Sequence, residues 1–159
     1  MTFSIYLDVC CFNRPFDDRA QERIRLETQA FFIILGNCQS EKWQLRVSEA
    51  LDTELENTPE GRRKEQMRQW AALTKNKITL NEQILSRGQE LTEMGFKDYD
   101  ALHIACAEAG NADLLLTTDD RTLRLTGRLG DLLQVRIRNP LQWIQEVTNG
   151  GRLGEIGYK

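Results

Sequence analysis

The sequence predicts an α/β fold, a three-layer α/β/α sandwich with a mainly parallel central sheet. Short apolar segments typical of strands alternate along the chain with longer segments that have helical periodicity. This alternation is typical of parallel sheets with helical crossovers. The segment at residues 113–117 is apolar without alternation, as expected for a strand that helices cover on both faces.

Five segments are predicted to form strands because apolar and β-branched residues cluster there between turn-forming residues. The first two show alternation of apolar and polar side chains, and the third is short. In chain order the predicted strands are residues 3–9, 43–47, 77–80, 113–117 and a weaker segment at 134–137.

Helices are predicted from apolar spacing and from polar residues suited to cap a helix. In chain order they are residues 18–35, 48–55, 62–73, 81–95, 98–110, a short basic segment before the last strand, and 140–147. The first has an apolar face formed by Ile24, Phe31 and Leu35, with charge supplied by Arg23, Arg25 and Glu27. Caps are predicted at Ser48, Asn81 and Asp98.

Length and composition indicate a globular protein. The 159 residues are enough for one domain with a hydrophobic core and few for two. No apolar run approaches the roughly 20 residues that span a bilayer, and the start of the chain lacks signal-peptide features. We therefore expect a cytoplasmic protein with its domain at residues 1–149 and a flexible tail at residues 150–159.

The cysteine content and the net charge bear on the redox compartment, on a zinc site and on nucleic-acid binding. The four cysteines include an adjacent pair, Cys10 and Cys11, and suit a reducing compartment better than a disulfide framework. With one histidine and no CxxC pair, a zinc site is not favoured. The net charge of −3 argues mildly against a nucleic-acid binder. However, clustered carboxylates would lower the net charge of a nuclease as well.

Basic residues occur in three groups along the chain. Each group fits either a solvated helix face or a nucleic-acid contact. The groups are Arg62, Arg63 and Lys64, then Arg121, Arg124 and Arg128, then Arg136 and Arg138.

Two aspartates follow predicted strands. Asp8 ends the first strand, and Asp119 comes just after the fourth. Ligands of parallel α/β sheets bind beyond the carboxyl ends of the strands, so both side chains are expected at one edge. A buried carboxylate needs a cation, a donor or solvent. The alternative for each residue is a structural role in a cap or turn.

A third candidate acid lies on the helix after the second strand, which carries four acidic residues. Glu54 stands four residues after Ala50 and three after Leu51, so helical spacing turns it inward. Asp52 and Glu56 lie on the other side and are expected to be solvated. The alternative is that the Glu54 stem packs while its carboxylate reaches water.

Asp100 stands in the first turn of an unusually apolar helix that is expected to be central. Its alternative role is to favour the helix dipole, but Asp98 already suits that role. His103 lies one turn further on and shares the face of Asp100. We interpret His103 as a buried histidine with satisfied nitrogens, rather than as a residue that orients Asp100 or contacts phosphate.

Together these positions predict one acidic site. Four carboxylates from four elements, Asp8, Glu54, Asp100 and Asp119, would offer hard oxygen ligands of the kind that suit Mg²⁺ or Mn²⁺. Such oxygen-rich sites typically act on phosphate groups.

Several segments resemble the PIN domain family and, within it, VapC-type toxins of bacterial toxin–antitoxin systems. The resemblance covers nearly the whole chain, from Phe3 to Val147. YLDVCC, VSEALDTEL and DALHIACA carry Asp8, Glu54 and Asp100 at positions similar to those of the family's first three acids. LLLTTDD carries Thr117 and Asp119 and resembles the family's T-x-D segment. IRNPLQWI is similar to the family's closing helix.

The resemblance implies a flavodoxin-like fold, Mg²⁺ or Mn²⁺ dependence and endoribonuclease activity on RNA, with a homodimer and a small antitoxin as common partners. In this hypothesis Asp8, Asp100 and Asp119 hold the metal directly, and Glu54 completes the site directly or through water. The chain departs from the family pattern at Cys10, where a small polar residue is common. Asn13 and Arg14 are therefore candidates for contacting phosphate.

Two other functions remain open on the sequence. A haloacid-dehalogenase-like phosphatase also begins with an acid after its first strand, but it requires a second aspartate where Cys10 stands. A PIN-like scaffold that binds RNA or protein without cleavage would fit the Cys10 departure and the acidic pI of about 5.3. A dinucleotide-binding site is excluded because CCFNRPF, and not a glycine-rich turn, follows the first strand.

Overall fold

The computed structural model describes residues 3–74 and 76–149, and it confirms the predicted α/β fold. The described residues form a five-stranded parallel sheet in the order β3-β2-β1-β4-β5, with helices on both faces. The strands are β1 (Phe3–Leu7), β2 (Trp43–Ser48), β3 (Lys77–Ile78), β4 (Leu114–Leu116) and β5 (Arg136–Arg138). The α-helices are α1 (Val9–Asn13), α2 (Glu22–Gln39), α3 (Glu49–Glu56), α4 (Arg62–Ala71), α5 (Glu82–Glu93), α6 (Asp98–Ala109), α7 (Asp120–Leu129) and α8 (Pro140–Asn149).

The sheet separates two hydrophobic cores because successive strand residues point to opposite faces. Ile5 and Leu7 of β1 belong to one core, which they share with buried residues of α1, α2, α3, α4 and α8. Tyr6 belongs to the other core, with residues of α3, α5, α6 and α7. Strand β4 contributes to both cores in the same way, which explains its continuous apolar sequence.

Helix α3 follows β2 directly and lies at the boundary of the two cores. Ala50 packs in the core that contains Tyr6, whereas Leu51 and Leu55 pack in the opposite core. Ser48 caps this helix, since its Oγ accepts a hydrogen bond of 3.2 Å from the amide of Ala50. The helix is thereby fixed at the carboxyl edge of the sheet, and Glu54 lies on it.

Several predicted boundaries were wrong, and the largest difference is in α2, which was expected at residues 18–35 and spans Glu22–Gln39. Strand β1 ends at Leu7, because Asp8 is the N-cap of the short helix α1, which the sequence did not predict. Helix α6 has Lys97 and not Asp98 as its N-cap. Asp98 is instead the first residue of the helix, where its charge still favours the helix dipole.

Charged residues of two helices are more buried than their sequence suggests. Glu27 of α2 is 1% exposed, although we expected it to supply surface charge. Lys64 of α4 is also buried, and its ammonium group lies 2.7 Å from the Glu60 carboxylate. Both side chains are tolerated inside because each meets partners of opposite charge.

The remaining expectations concern cysteines, membranes and the tail. All four cysteines carry free thiols, as expected. Within the described part of the chain, no helix has both the length and the apolar character needed to cross a bilayer. The expected tail, residues 150–159, lies outside the described residues.

Candidate metal centre

Asp8 lies where the carboxyl ends of β1 and β4 meet. Leu7 and Leu116 are paired in the sheet, and the Asp8 amide donates to the Leu116 carbonyl at 3.1 Å. The side chain is buried, with Oδ1 accepting from the amide of Val9 at 2.8 Å. Oδ2 accepts from the Thr117 hydroxyl at 2.9 Å. Asp8 therefore caps α1 and also presents its carboxylate at the sheet edge.

Thr117 and Cys10 hold this carboxylate from the side of β4. The Thr117 hydroxyl donates to Asp8 and accepts from the amide of Asp119 at 3.2 Å. The Cys10 Sγ lies 3.4 Å from Asp8 Oδ2, 3.2 Å from the Thr117 hydroxyl and 3.2 Å from the amide of Thr118. The thiol thus takes up part of the role of a small polar residue, because it touches the same carboxylate oxygen as Thr117.

Asp100 and Asp119 meet through a second threonine. The Thr122 hydroxyl lies 2.7 Å from Asp119 Oδ2 and 3.2 Å from Asp100 Oδ2. Asp119 is also the N-cap of α7, with Oδ1 accepting from the amide of Arg121 at 3.3 Å. Since one hydroxyl has a single hydrogen, the two carboxylates share one donor and are brought into close proximity.

Glu54 reaches the site from α3 and contacts His103. Its Oε1 is hydrogen-bonded to His103 Nε2, and the same nitrogen lies 3.6 Å from Asp8 Oδ1. Ligand atoms of Asp8, Glu54 and His103 all lie within 4.8 Å of one another. The other acids of α3 point elsewhere, since Asp52 pairs with Lys77 at 2.6 Å and Glu49 accepts from the amide of Leu80 at 2.7 Å.

His103 is buried, and both of its ring nitrogens are satisfied, as expected. Its Nδ1 lies 2.6 Å from the Tyr6 hydroxyl, which lies 2.6 Å from Ser48 Oγ. Burial raises the pKa of Tyr6 well above its usual value. No sequence pattern predicts these contacts, although Tyr6 stands two residues before Asp8 and His103 one turn after Asp100.

The charges of the site repel one another. Burial, together with the charges of Asp8 and Asp119, raises the pKa of Asp100 to about 6. For His103, burial lowers the pKa, but the hydrogen bond to Glu54 and the charges of Asp8, Glu54 and Asp100 outweigh it and raise the pKa overall.

The residues present fit a divalent cation. Across residues 3–74 and 76–149, His103 is the one basic side chain that pairs with any of the four acids. The carboxylates therefore carry an excess of negative charge at a place where burial makes that excess costly. Carboxylate oxygens are the ligands that Mg²⁺ and Mn²⁺ prefer, so a bound ion would relieve the repulsion that Asp100 experiences.

The two residues that we considered for phosphate contact are engaged in other interactions. Arg14 donates to Glu27 at 2.7 Å and to Asp17 at 3.0 Å. Asn13 accepts from the guanidinium group of Arg63, with Oδ1 lying 3.1 Å from Nε. A role for either residue with phosphate would require these contacts to be exchanged.

A comparison with known proteins identifies the family. No curated protein matched the chain. The family model described as PIN domain matches residues 5–128, which include all four acids and both threonines of the site. The match covers well over half of the 159 residues. The chain therefore belongs to the PIN domain family, whose members are generally metal-dependent nucleases.

Proposed function

We propose that this protein is an endoribonuclease that hydrolyses RNA phosphodiester bonds with the help of Mg²⁺ or Mn²⁺. The observation that carries the proposal is the convergence of Asp8, Asp100 and Asp119 beside Thr117 and Thr122, within a PIN domain. Three acids from three elements meet at the edge where α/β sheets bind their ligands.

Each acid has a defined role in this proposal. Asp8, Asp100 and Asp119 hold the ion directly, and Glu54 completes the site directly or through water. When bound, such an ion supplies an activated water and stabilises the departing oxygen of the phosphodiester. The threonine hydroxyls act before substrate binds, because Thr117 fixes Asp8 and Thr122 fixes Asp119. The expected products carry a 5′ phosphate and a 3′ hydroxyl.

A stripe of arginines supports a nucleic-acid substrate. Arg121, Arg124 and Arg128 are exposed on α7 at intervals of three and four residues, so they share one face of the helix. Arg121 donates to the Gly95 carbonyl at 3.0 Å. Arg124 and Arg128 form no hydrogen bond or salt bridge with the residues that the structure describes. Asp119 is the N-cap of this helix, so the arginines would meet the phosphates of a strand leaving the site.

The proposal extends to a toxin that a small antitoxin neutralises and that forms a homodimer. The support for these features is the resemblance of the DALHIACA and LLLTTDD segments to VapC-type toxins. Growth arrest on expression, relieved by the product of a neighbouring small reading frame, would support the toxin role.

The decisive experiment is metal-dependent cleavage of a mixed RNA pool by the wild type and Asp119→Asn. Asparagine retains the shape and the capping ability of aspartate but removes its charge. We expect Asp119→Asn to lower the cleavage rate at least about a hundredfold, since even indirect partners of metal ligands cost about 10–100-fold. Chelation should abolish wild-type cleavage, and Mg²⁺ or Mn²⁺ should restore it.

Asp120→Asn is the matched control, because Asp120 is the next residue and pairs with Arg23 at the surface. It should cleave like the wild type. Wild-type rates for Asp119→Asn would contradict the assignment of the site. RNA binding without cleavage by the wild type would favour a scaffold, and hydrolysis of a simple phosphomonoester would favour a phosphatase.

A further inference from the structure

The hydrogen bonds behind Glu54 form a continuous buried chain. The amide of Ala50 donates to Ser48 Oγ at 3.2 Å, Ser48 Oγ lies 2.6 Å from the Tyr6 hydroxyl, and that hydroxyl lies 2.6 Å from His103 Nδ1. His103 Nε2 then contacts Glu54 Oε1. Ser48, Tyr6 and His103 are each 1% exposed or less. The chain therefore joins the backbone of α3 to a carboxylate of the site without passing through solvent.

The donors and acceptors of this chain determine where the hydrogens lie. A glutamate carboxylate can only accept, so the hydrogen between His103 and Glu54 must be on Nε2. A neutral histidine has one N–H, which leaves Nδ1 as an acceptor for the Tyr6 hydroxyl. Ser48 then donates to Tyr6 and accepts from Ala50. Every group in the chain is satisfied in this arrangement.

The opposite direction through Tyr6 leads to the same state of Nε2. If Nδ1 carried the hydrogen of a neutral ring, Nε2 and Glu54 would be two acceptors facing each other in a buried place. Such an arrangement leaves both groups unsatisfied, which is costly. If both nitrogens carry hydrogens, Nε2 still donates to Glu54.

We infer that Ser48, Tyr6 and His103 position Glu54 through the Nε2–H group of His103, and that His103 orients the site without itself holding the metal. A nitrogen that carries a hydrogen has no lone pair for a metal ion. His103 is thus a positioning residue, although its Nε2 lies only 3.6 Å from Asp8 Oδ1.

The physical benefit lies in the freedom of the Glu54 side chain. A glutamate has several rotatable bonds, and fixing them costs conformational entropy. The bond from His103 holds Oε1, whereas Oε2 has no hydrogen-bond partner among the described residues. Glu54 can then present Oε2 in one direction, which suits the acid that completes the proposed site. This inference rests on the proposed function for the role of Glu54.

The first test is spectroscopic and needs no activity. His103 is the single histidine in the chain, so untagged protein labelled with ¹⁵N-histidine gives the signals of one imidazole ring. We expect Nε2 to carry a hydrogen in metal-free protein and to keep it when Mg²⁺ is added. An Nε2 without a hydrogen, or one that becomes a ligand on addition of Mg²⁺, would overturn the inference.

The second test removes the middle link with Tyr6→Phe, which keeps the ring and deletes the hydroxyl. We expect about tenfold weaker Mg²⁺ binding and about tenfold lower kcat, with an unchanged KM for RNA, as for other residues that support metal ligands. The ¹⁵N signal of His103 Nδ1 should also shift, because this nitrogen loses the Tyr6 hydroxyl, while Nε2 keeps its hydrogen on Glu54. A purely structural role would lower the folded fraction without weakening Mg²⁺ binding by the folded protein or separating kcat from KM.

Tyr99→Phe is the matched control. Tyr99 is partly exposed and is not part of the hydrogen-bond chain. Its ring centroid lies 6.4 Å from that of His103. It should behave like the wild type. Mg²⁺ affinity and kcat within about twofold of the wild type for Tyr6→Phe would contradict the inference. If Tyr6→Phe does not fold, the ¹⁵N measurement on the wild type decides. If the wild type does not cleave RNA, the proposed function fails. The Mg²⁺ and ¹⁵N measurements then still test whether the hydrogen-bond chain positions Glu54.

Discussion

Glu27 and Asp8 are both buried carboxylates, with 1% and 6% of their surface exposed, but their surroundings differ in charge. Glu27 accepts from Arg14 at 2.7 Å, from Arg23 at 3.1 Å and from the Asn139 amide at 2.7 Å. Asp8 accepts from an amide, a hydroxyl and a thiol, and no guanidinium group among the described residues reaches it. Two arginines neutralise Glu27, whereas the ion-pair partner of Asp8 among the described residues is His103, at 3.6 Å.

This difference separates a structural acid from a proposed metal ligand. Two arginines and an amide compensate for the burial of Glu27, so no further ligand is needed there. Asp8 shares its site with Asp100, whose pKa is raised by burial and then by the charges of Asp8 and Asp119. The location of a metal site is thus indicated less by the number of acids than by the shortage of cations around them.

The two regions are also connected. Arg23 donates to the Thr118 carbonyl at 3.1 Å, between the two site residues Thr117 and Asp119. Arg23, which also pairs with Glu27, therefore holds the segment that carries Asp119. It supports the arrangement of the proposed metal ligands without contributing one.

The largest effect that tests this comparison is expected for Glu27→Gln. The substitution leaves Arg14 and Arg23 without a carboxylate, and removal of one partner of a buried ion pair typically costs about 3 kcal/mol of unfolding free energy or more. Urea unfolding in the absence of metal measures the change. Glu22→Gln on the exposed first turn of α2 is the control and should lose less than about 1 kcal/mol. A loss for Glu27→Gln as small as that of the control would break the distinction.

An intermediate effect is expected from pH, in the opposite direction to that of a paired acid. The folded-state pKa of Asp100 is raised to about 6, whereas an unfolded aspartate has a pKa of about 3.9. The folded state thus binds this proton more tightly. The resulting stability is complete below about pH 4 and is lost as the pH rises through about 6.

Asp100→Asn isolates this effect from the other titrating groups. The metal-free wild type should lose about 1–2 kcal/mol more than Asp100→Asn between about pH 4 and about pH 7, after allowance for solvent screening at a half-buried site. Chemical denaturation at a series of pH values gives the difference. Excess Mg²⁺ should reduce it for the wild type, because the ion replaces the proton. Parallel pH profiles of the two proteins without metal would show that folding does not raise the pKa of Asp100.

The smallest effect is expected for Asp120→Asn. Arg23 contacts Asp120 at 2.8 Å, but both side chains are about half exposed, at 48% and 56%. Exposed ion pairs contribute little, so the unfolding free energy should fall by less than about 1 kcal/mol. Thermal denaturation measures it beside Glu27→Gln, which removes the buried partner of the same arginine. Equal losses for the two variants would mean that burial does not decide the strength of these pairs.

Local patterns in the sequence were sufficient to predict the fold class and the candidate acids. Apolar alternation located β1 and β2, and the end of β1 drew attention to Asp8. Helical spacing distinguished Glu54 from Asp52 and Glu56, because the direction of a helical side chain depends on its immediate neighbours. The PIN match confirms the family, and the site residues themselves remain predictions.

Interactions between distant segments were not predictable in the same way. Glu27 meets Asn139, which is 112 residues away, and Tyr6 meets His103 across 97 residues. No spacing rule relates such positions, since they become neighbours only when the sheet and its helices pack. The charged character of Glu27 even favoured the wrong prediction, a place at the surface, because its compensation by two arginines depends on tertiary structure.

The capping bonds of Asp8 and Asp119 have a consequence for how this protein can change in evolution. Each residue uses Oδ1 to hold a backbone amide of the following helix, and its Oδ2 receives a threonine hydroxyl. Asparagine satisfies a helix N-cap about as well as aspartate. One nucleotide substitution in either codon would therefore remove the charge and keep the fold. Under the proposed function, a nuclease and an inert binding scaffold with the same architecture are separated, at this edge of the sheet, by a single mutational step.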